Sequence, residues 1–194
     1  MSLPSSKILS IFKETGALLN GHFLLTSGLH SEAYFQCALV FQYPHHSETL
    51  CRAIADHFYQ DDIQLVVSPA VGGIVVGQEI ARLLGVRSIF TERVDGKMAL
   101  RRGFQIHEGE NVLVAEDVTT TGGSVKEVID VVKSSGAKPV SVAAVVDRSG
   151  GKVDFGIPYF SLLKMEVTNY QPDQCPMCQS GSKAVKPGSR DLKA

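Results

Sequence analysis

Val112-Leu113-Val114-Ala115-Glu116-Asp117-Val118-Thr119-Thr120-Thr121-Gly122-Gly123-Ser124 decides how this chain folds. Val112 to Ala115 is a short apolar run of the kind that forms a strand buried on both faces. It passes into two adjacent carboxylates, three threonines and two glycines, and helical periodicity then takes over from Gly123 to Ser135. Ser124, with Glu127 three residues on, has the spacing of a capping box and marks the helix start. At the carboxyl end of a parallel strand, such a turn lets backbone N–H groups close on an anion, and the helix dipole and hydroxyls add to the attraction. The stretch reads as a phosphate cradle. It lacks the Gly-Lys-Ser/Thr of a Walker loop and the Gly-x-Gly-x-x-Gly of a dinucleotide turn, so its phosphate belongs to another kind of ligand. A carboxylate beside a phosphate is repulsive unless it meets hydroxyls or a divalent cation. A 5-phosphorylated ribose answers both demands, with its phosphate on the threonine-glycine turn and its 2- and 3-hydroxyls on Glu116 and Asp117.

Outward from this block the chain alternates. Leu65 to Ala70, Ser88 to Glu92, Asn111 to Asp117, Val140 to Asp147 and Tyr159 to Lys164 are short stretches rich in Val and Ile, read as strands. Lys7 to Leu19, Pro44 to Tyr59 and Gly73 to Leu84 carry apolar residues at helical spacing, and Gly85 and Gly136 stand where helices end. Repeated strand–helix–strand units imply an α/β fold with a mostly parallel sheet flanked by helices. Asp95 to Glu110, with three glycines and Lys97, Arg101, Arg102 and His107, is too polar for a core element and long for a plain loop, so a functional lid is expected. The tail, 171–194, is rich in Pro, Gly, Ser and Lys and is expected to cross the surface or another subunit.

The 194 residues, 44% apolar and 20% charged, fit one domain. A net charge of −1 gives no basic field for nucleic acid or anionic lipid. No apolar run approaches membrane-spanning length, and Met1 to Ser10 holds no export signal. Four cysteines without such a signal read as reduced thiols, so a cytoplasmic protein is expected.

The 116–124 block resembles the phosphoribosyl-pyrophosphate (PRPP) motif of the type I phosphoribosyltransferases, and the rest of the chain resembles the branch of that family that acts on orotate. Gly21 to Ser31 with Tyr34-Phe35 is similar to the family's base-binding segment, Ser68 to Ile74 to its pyrophosphate loop, and Asp147-Arg148 to the place of an orotate-contacting arginine. The resemblance implies a phosphoribosyltransferase fold over 1–194, with a base-binding hood at 1–40 and a mobile catalytic loop at 93–110. It implies PRPP and orotate as substrates, Mg²⁺ as cofactor, and a homodimer whose loop closes over the neighbouring subunit's site. Glu116, Asp117, Val118, Thr119, Thr120, Thr121, Gly122, Gly123 and Ser124, with Val71 and Gly72, fall on PRPP-binding positions. Thr120, Arg148 and Phe35 fall on the orotate side, and no side chain is assigned as a metal ligand. A planar guanidinium such as that of Arg148 suits a planar anion because it forms two charge-assisted hydrogen bonds at once.

Pyrophosphate leaves with high charge, so lid cations are expected to stabilise it, with Lys97 first, Arg93 at the root second, and Arg101 and Arg102 as further candidates. Many members carry lysines at the positions of Thr26 and Gly72 and an Arg-Lys pair where this chain has Glu92-Arg93. Cys175-Pro176-Met177-Cys178 has zinc-knuckle spacing but is half of a four-ligand site. A second pair across a dimer, or Cys37 and Cys51, would complete it; an inert turn is the plainer reading. The histidines show no ligand spacing. The rival functions are a purine-specific transferase of the same family and a non-catalytic PRPP-sensing regulator.

Overall fold

In a computed structural model, residues 3–25 and 27–186 are described. Thr26 and the tail residues 187–194, Arg190 among them, lie outside the described residues. Helix α1 (Ser5–Glu14) leads into the hairpin β1 (Leu18–Leu24) and β2 (His30–Phe35), followed by α2 (Ala38–Phe41) and α3 (Pro44–His57). Then come β3 (Leu65–Pro69), α4 (Gly73–Leu84), the hairpin β4 (Arg87–Val94) and β5 (Lys97–Leu100), β6 (Asn111–Thr119), α5 (Gly123–Ser134), β7 (Lys138–Asp147) and β8 (Tyr159–Lys164). A short β9 (Asn169–Tyr170) and α6 (Pro176–Gln179) close the described chain.

The main sheet has the order β5-β4-β3-β6-β7-β8, parallel except for the edge hairpin β4–β5. Alternation along the strands feeds two cores. Val66, Leu113, Ala115 and Ala143 meet α1, α3 and α4 on one face, while Leu65, Val67, Val112, Val114 and Val142 meet Val125, Val128, Ile129 and Val132 of α5 on the other. Full burial on both faces is why these strands read as continuous apolar runs. A second sheet, β1-β2-β9, stands above the main one as a hood.

Three expectations are corrected. The first helix ends at Glu14, because Gly16 adopts φ +66 and turns the chain, so Leu18 and Leu19 belong to β1. The stretch from Asp95 to Glu110 is not one open loop. Asp95 and Gly96, at φ +50 and +82, form a two-residue hairpin turn that pairs Val94 with Lys97, a signal that Asp-Gly itself carries. Met98 is buried, and Phe104 and Ile106 pack on the α5-side core. The capping box is absent. Gly122 is the N-cap of α5, which moves Ser124 and Glu127 too far into the helix to serve as cap and partner, and no side chain caps it. Glu127 instead accepts two bonds from Arg93, both at 2.9 Å, and one from the Met98 amide, fastening the β4–β5 hairpin to α5.

Candidate active site

The crossovers from β3 and β6 leave toward opposite faces of the sheet, so the loops after these adjacent parallel strands open a crevice between them. In α/β sheets that is where ligands bind. The loop after β3 holds Val71, largely exposed, and Gly72; the loop after β6 holds the acids and threonines. The two meet closely: a Cβ built on Gly72 would lie 2.5 Å from Asp117 Oδ2, and one on Gly73 would lie 3.1 Å from Glu116 Oε1. Gly72 therefore lets the Asp117 carboxylate into the crevice, at a position where the resemblance implies a lysine in many members of the family.

The threonine-glycine turn encloses a cavity of ≈ 70 Å³ lined by Glu116 and residues 118–125. Thr120 and Thr121 are exposed at its mouth, and Gly122 is buried behind them at φ +76. Because α5 has no side-chain cap, its first N–H groups stay available to an anion that the turn holds. Much larger grooves exist elsewhere, such as that of ≈ 680 Å³ between α3 and α4, but they lack this convergence of amides, hydroxyls and acids.

Glu116 is buried, and burial with Asp117 beside it pushes its carboxyl well above the usual range. Burial also raises Asp117, although the Val118 N–H donates to its Oδ1 at 2.8 Å. A carboxyl raised in this way keeps its proton to a higher pH than a free one does, and a diol or a cation that binds the ionised form competes with that proton. A ligand that binds the ionised pair is therefore expected to release protons and to tighten as pH rises. Calorimetry in buffers of different ionisation enthalpy measures this directly. The sign for stability is opposite. The folded chain binds more protons here than the unfolded chain, so the ligand-free protein loses stability as pH rises above the ordinary carboxylate range.

Arg148 follows β7, the next strand over, and is buried at 4% exposure. Its Nη2 donates to Ser31 Oγ at 2.9 Å and to the Ala33 carbonyl at 3.0 Å, tying the hood to the sheet. Its Nε is buried and has no hydrogen-bond partner among the described residues. Asp147 accepts from Ser149 and Gly151 and thereby shapes the loop that follows. Phe35 differs from expectation. It lies in the main core, edge-on to Phe12 at 5.4 Å, because strand alternation turns it inward. The aromatic ring exposed to the site's charges is that of Tyr34, whose phenol burial and Asp117 push up and Arg148 pulls down.

The cations of the 93–102 stretch divide. Arg93 is committed to Glu127 and Arg102 to Glu92, the latter through two bonds of 2.8 Å. Lys97 and Arg101 have no carboxylate partner among the described residues. Lys97 lines a groove along α5 with Met98 and Asp130, so the structure does not bring it to its own chain's threonine-glycine cavity. Cys37 and Cys51 sit in the main core, away from Cys175 and Cys178, and do not complete a four-sulfur set.

The profile of the phosphoribosyl transferase domain matches residues 43–177. A protein of Desulforamulus reducens named orotate phosphoribosyltransferase is 55% identical over 186 residues, 96% of this chain and 97% of that one. The crystal structure of orotate phosphoribosyltransferase from Aeropyrum pernix superposes with a TM-score of 0.70 at 23% identity, covering 82% of this chain and 94% of that one. Adenine phosphoribosyltransferase from Thermoanaerobacter pseudethanolicus shares the fold at a TM-score of 0.60 and 18% identity, covering 69% and 88%. With a profile match over most of its length and a relative this similar end to end, the chain belongs to the phosphoribosyl transferase family.

Proposed function

We propose that this protein transfers the 5-phosphoribosyl group from PRPP to N1 of orotate, giving orotidine 5′-monophosphate and pyrophosphate, a step of pyrimidine nucleotide synthesis. The observation that carries the reading is the buried Arg148, which follows the strand beside β6 and binds the hood at Ser31 and Ala33, in a chain more than half identical to orotate phosphoribosyltransferases. The fold alone leaves the base open, since adenine transferases share it.

The 5-phosphate sits on the turn from Thr119 to Ser124, the ribose hydroxyls on Glu116 and Asp117, and pyrophosphate toward Val71 and Gly72. Leaving of pyrophosphate gives the sugar oxocarbenium character, so the protein works by positioning and by stabilising departing charge. Orotate is already anionic and needs no general base. The two adjacent carboxylates, Glu116 and Asp117, form an all-oxygen donor set that would suit Mg²⁺. When bound, Mg²⁺ neutralises charge on the departing pyrophosphate.

Lys97, unpaired and on a hairpin, is the lid cation proposed to reach pyrophosphate, in the neighbouring subunit of a homodimer. Exposed Val75, on the wall of the groove between α3 and α4, supports a face covered by a second copy. Lys97→Ala is expected to lower kcat by roughly 10²-fold with an unchanged melting temperature, as loss of one transition-state donor does. Mixing Lys97→Ala with Asp117→Asn restores activity only if the lid acts across subunits. A cytoplasmic setting belongs to the same proposal, supported by four free thiols. No described helix is long and apolar enough to cross a membrane.

The deciding assay follows orotate absorbance with PRPP and Mg²⁺, against adenine, hypoxanthine and xanthine. Consumption of orotate is expected. Turnover of a purine without orotate would replace this substrate, and PRPP binding without any turnover would favour a regulator.

A further inference from the structure

Away from the crevice, at the outer end of the hood, four side chains from three separate parts of the chain converge. His22 comes from β1, His30 from the start of β2, and Cys175 and Cys178 from the tail, with all four ligand atoms within 4.8 Å of one another. His22 Nε2 lies 2.8 Å from His30 Nδ1, 3.5 Å from Cys175 Sγ and 3.8 Å from Cys178 Sγ, and Cys178 Sγ lies 3.3 Å from His30 Nδ1. A tetrahedron around Zn²⁺, with Zn–N near 2.0–2.1 Å and Zn–S near 2.3 Å, has edges of about 3.3 Å between nitrogens and about 3.6 Å between nitrogen and sulfur. The mixed edges straddle that value, and the nitrogens need to part by about half an ångström.

We propose that His22, His30, Cys175 and Cys178 form a structural zinc site that staples the tail to the hood. The chemistry of the donors supports it. Two thiolates and two neutral imidazoles balance a dication, and a set of two sulfurs and two nitrogens selects zinc over magnesium or calcium. Four protein ligands leave no open position, which marks a structural site rather than a catalytic one. His22, His30 and Cys175 are buried, so the centre is dry on most sides. Beyond the ligands, His22 Nδ1 lies 3.2 Å from Ser182 Oγ, a partner that holds the proton on Nδ1 and turns the Nε2 lone pair toward the centre. The tail pairs with the hood beside His22, on both sides of Phe23: the Val185 N–H donates to the His22 carbonyl at 2.8 Å, and the Leu24 N–H donates to the Val185 carbonyl at 2.9 Å.

The site also has a route to the crevice. His30 directly precedes Ser31, which accepts the Arg148 bond, and β9 pairs His30 and Ser31 with Tyr170 and Asn169. A metal on His30 fixes the strand that holds Arg148 in place. The zinc ligands are thus positioning residues for the base side of the crevice, and none of them touches PRPP.

The test uses the full chain, without a histidine tag, purified under reducing conditions and dialysed against metal-free buffer. Elemental analysis is expected to find about one zinc per chain, as four protein ligands hold a structural ion through dialysis. Replacement by Co²⁺ is expected to give the ligand-field bands of tetrahedral cobalt and a thiolate-to-cobalt charge-transfer band. Cys178→Ser, at the partly exposed corner, is expected to lose the zinc, and His30→Cys, which keeps four ligands, to retain it. Zinc removal is expected to raise KM for the base several-fold while leaving KM for PRPP unchanged. A wild-type chain that neither carries zinc nor shows the thiolate–cobalt band overturns the proposal. So does a Cys175–Cys178 disulfide in freshly reduced protein, or zinc retained by the Cys175→Ser/Cys178→Ser double variant.

Discussion

Arg148→Lys is expected to lower kcat/KM for orotate by roughly 10²-fold or more while leaving PRPP affinity within a few-fold. The substitution keeps the positive charge and removes the planar fork. The guanidinium divides its donors, with Nη2 on the hood at Ser31 and Ala33 and the buried Nε unspent. A lysine ammonium cannot satisfy both sides from that depth, since its donors radiate from a single atom. Disrupting a buried, hydrogen-bonded charge pair costs about 2–5 kcal/mol, which sets the scale of the loss. Steady-state kinetics with each substrate varied in turn measures it. An equal loss in both substrates would mean that Arg148 acts only by holding the fold together.

Gly122→Ala is expected to damage both the fold and the threonine-glycine turn. At φ +76 an L-residue costs about 1–2 kcal/mol, and here there is also no room. The new Cβ would lie 2.7 Å from Phe155 Cε1 and 2.8 Å from Val153 Cγ1, so the turn or the packing beneath it must move, at about 1–3 kcal/mol for an overpacked core. The turn is the softer side, and its displacement tilts the α5 amides away from the 5-phosphate. A loss of about 3 kcal/mol in stability is expected from these two terms together, with kcat/KM for PRPP down by at least ~10²-fold. Chemical denaturation and initial rates check the two effects separately. Thr121→Ala, exposed at the cavity mouth, is expected to cost far less stability.

The strands of the main sheet were legible because burial on both faces writes itself as unbroken runs of Val, Ile and Leu, as in Leu65 to Val67 and Val112 to Ala115. The threonine-glycine turn was legible because strand, acids, hydroxyls, glycines and helix follow one another within a few residues. The hairpin β4–β5 was written in Asp95-Gly96 but masked by the charges around it. Phe35 was misread because both its likeness to a base-binding segment and its place on a strand were visible, while the face it turned to was not. Glu127 was misread for a related reason: its spacing from Ser124 fits a cap, and only the actual helix start at Gly123 frees it to hold Arg93.

By itself, the sequence determined the α/β class, the turn of acids, threonines and glycines between Glu116 and Ser124, and the arginine that follows β7, since each is encoded by neighbours along the chain. Only the tertiary structure decided what meets across long separations. It set the approach of Gly72 to Asp117, the use of Arg148 as a tie to Ser31 of the hood, and the convergence of His22 and His30 on two cysteines roughly 150 residues away. The physical reason is that such contacts depend on strand order, register and the bulge in β1 between Asn20 and Phe23, none of which local periodicity specifies.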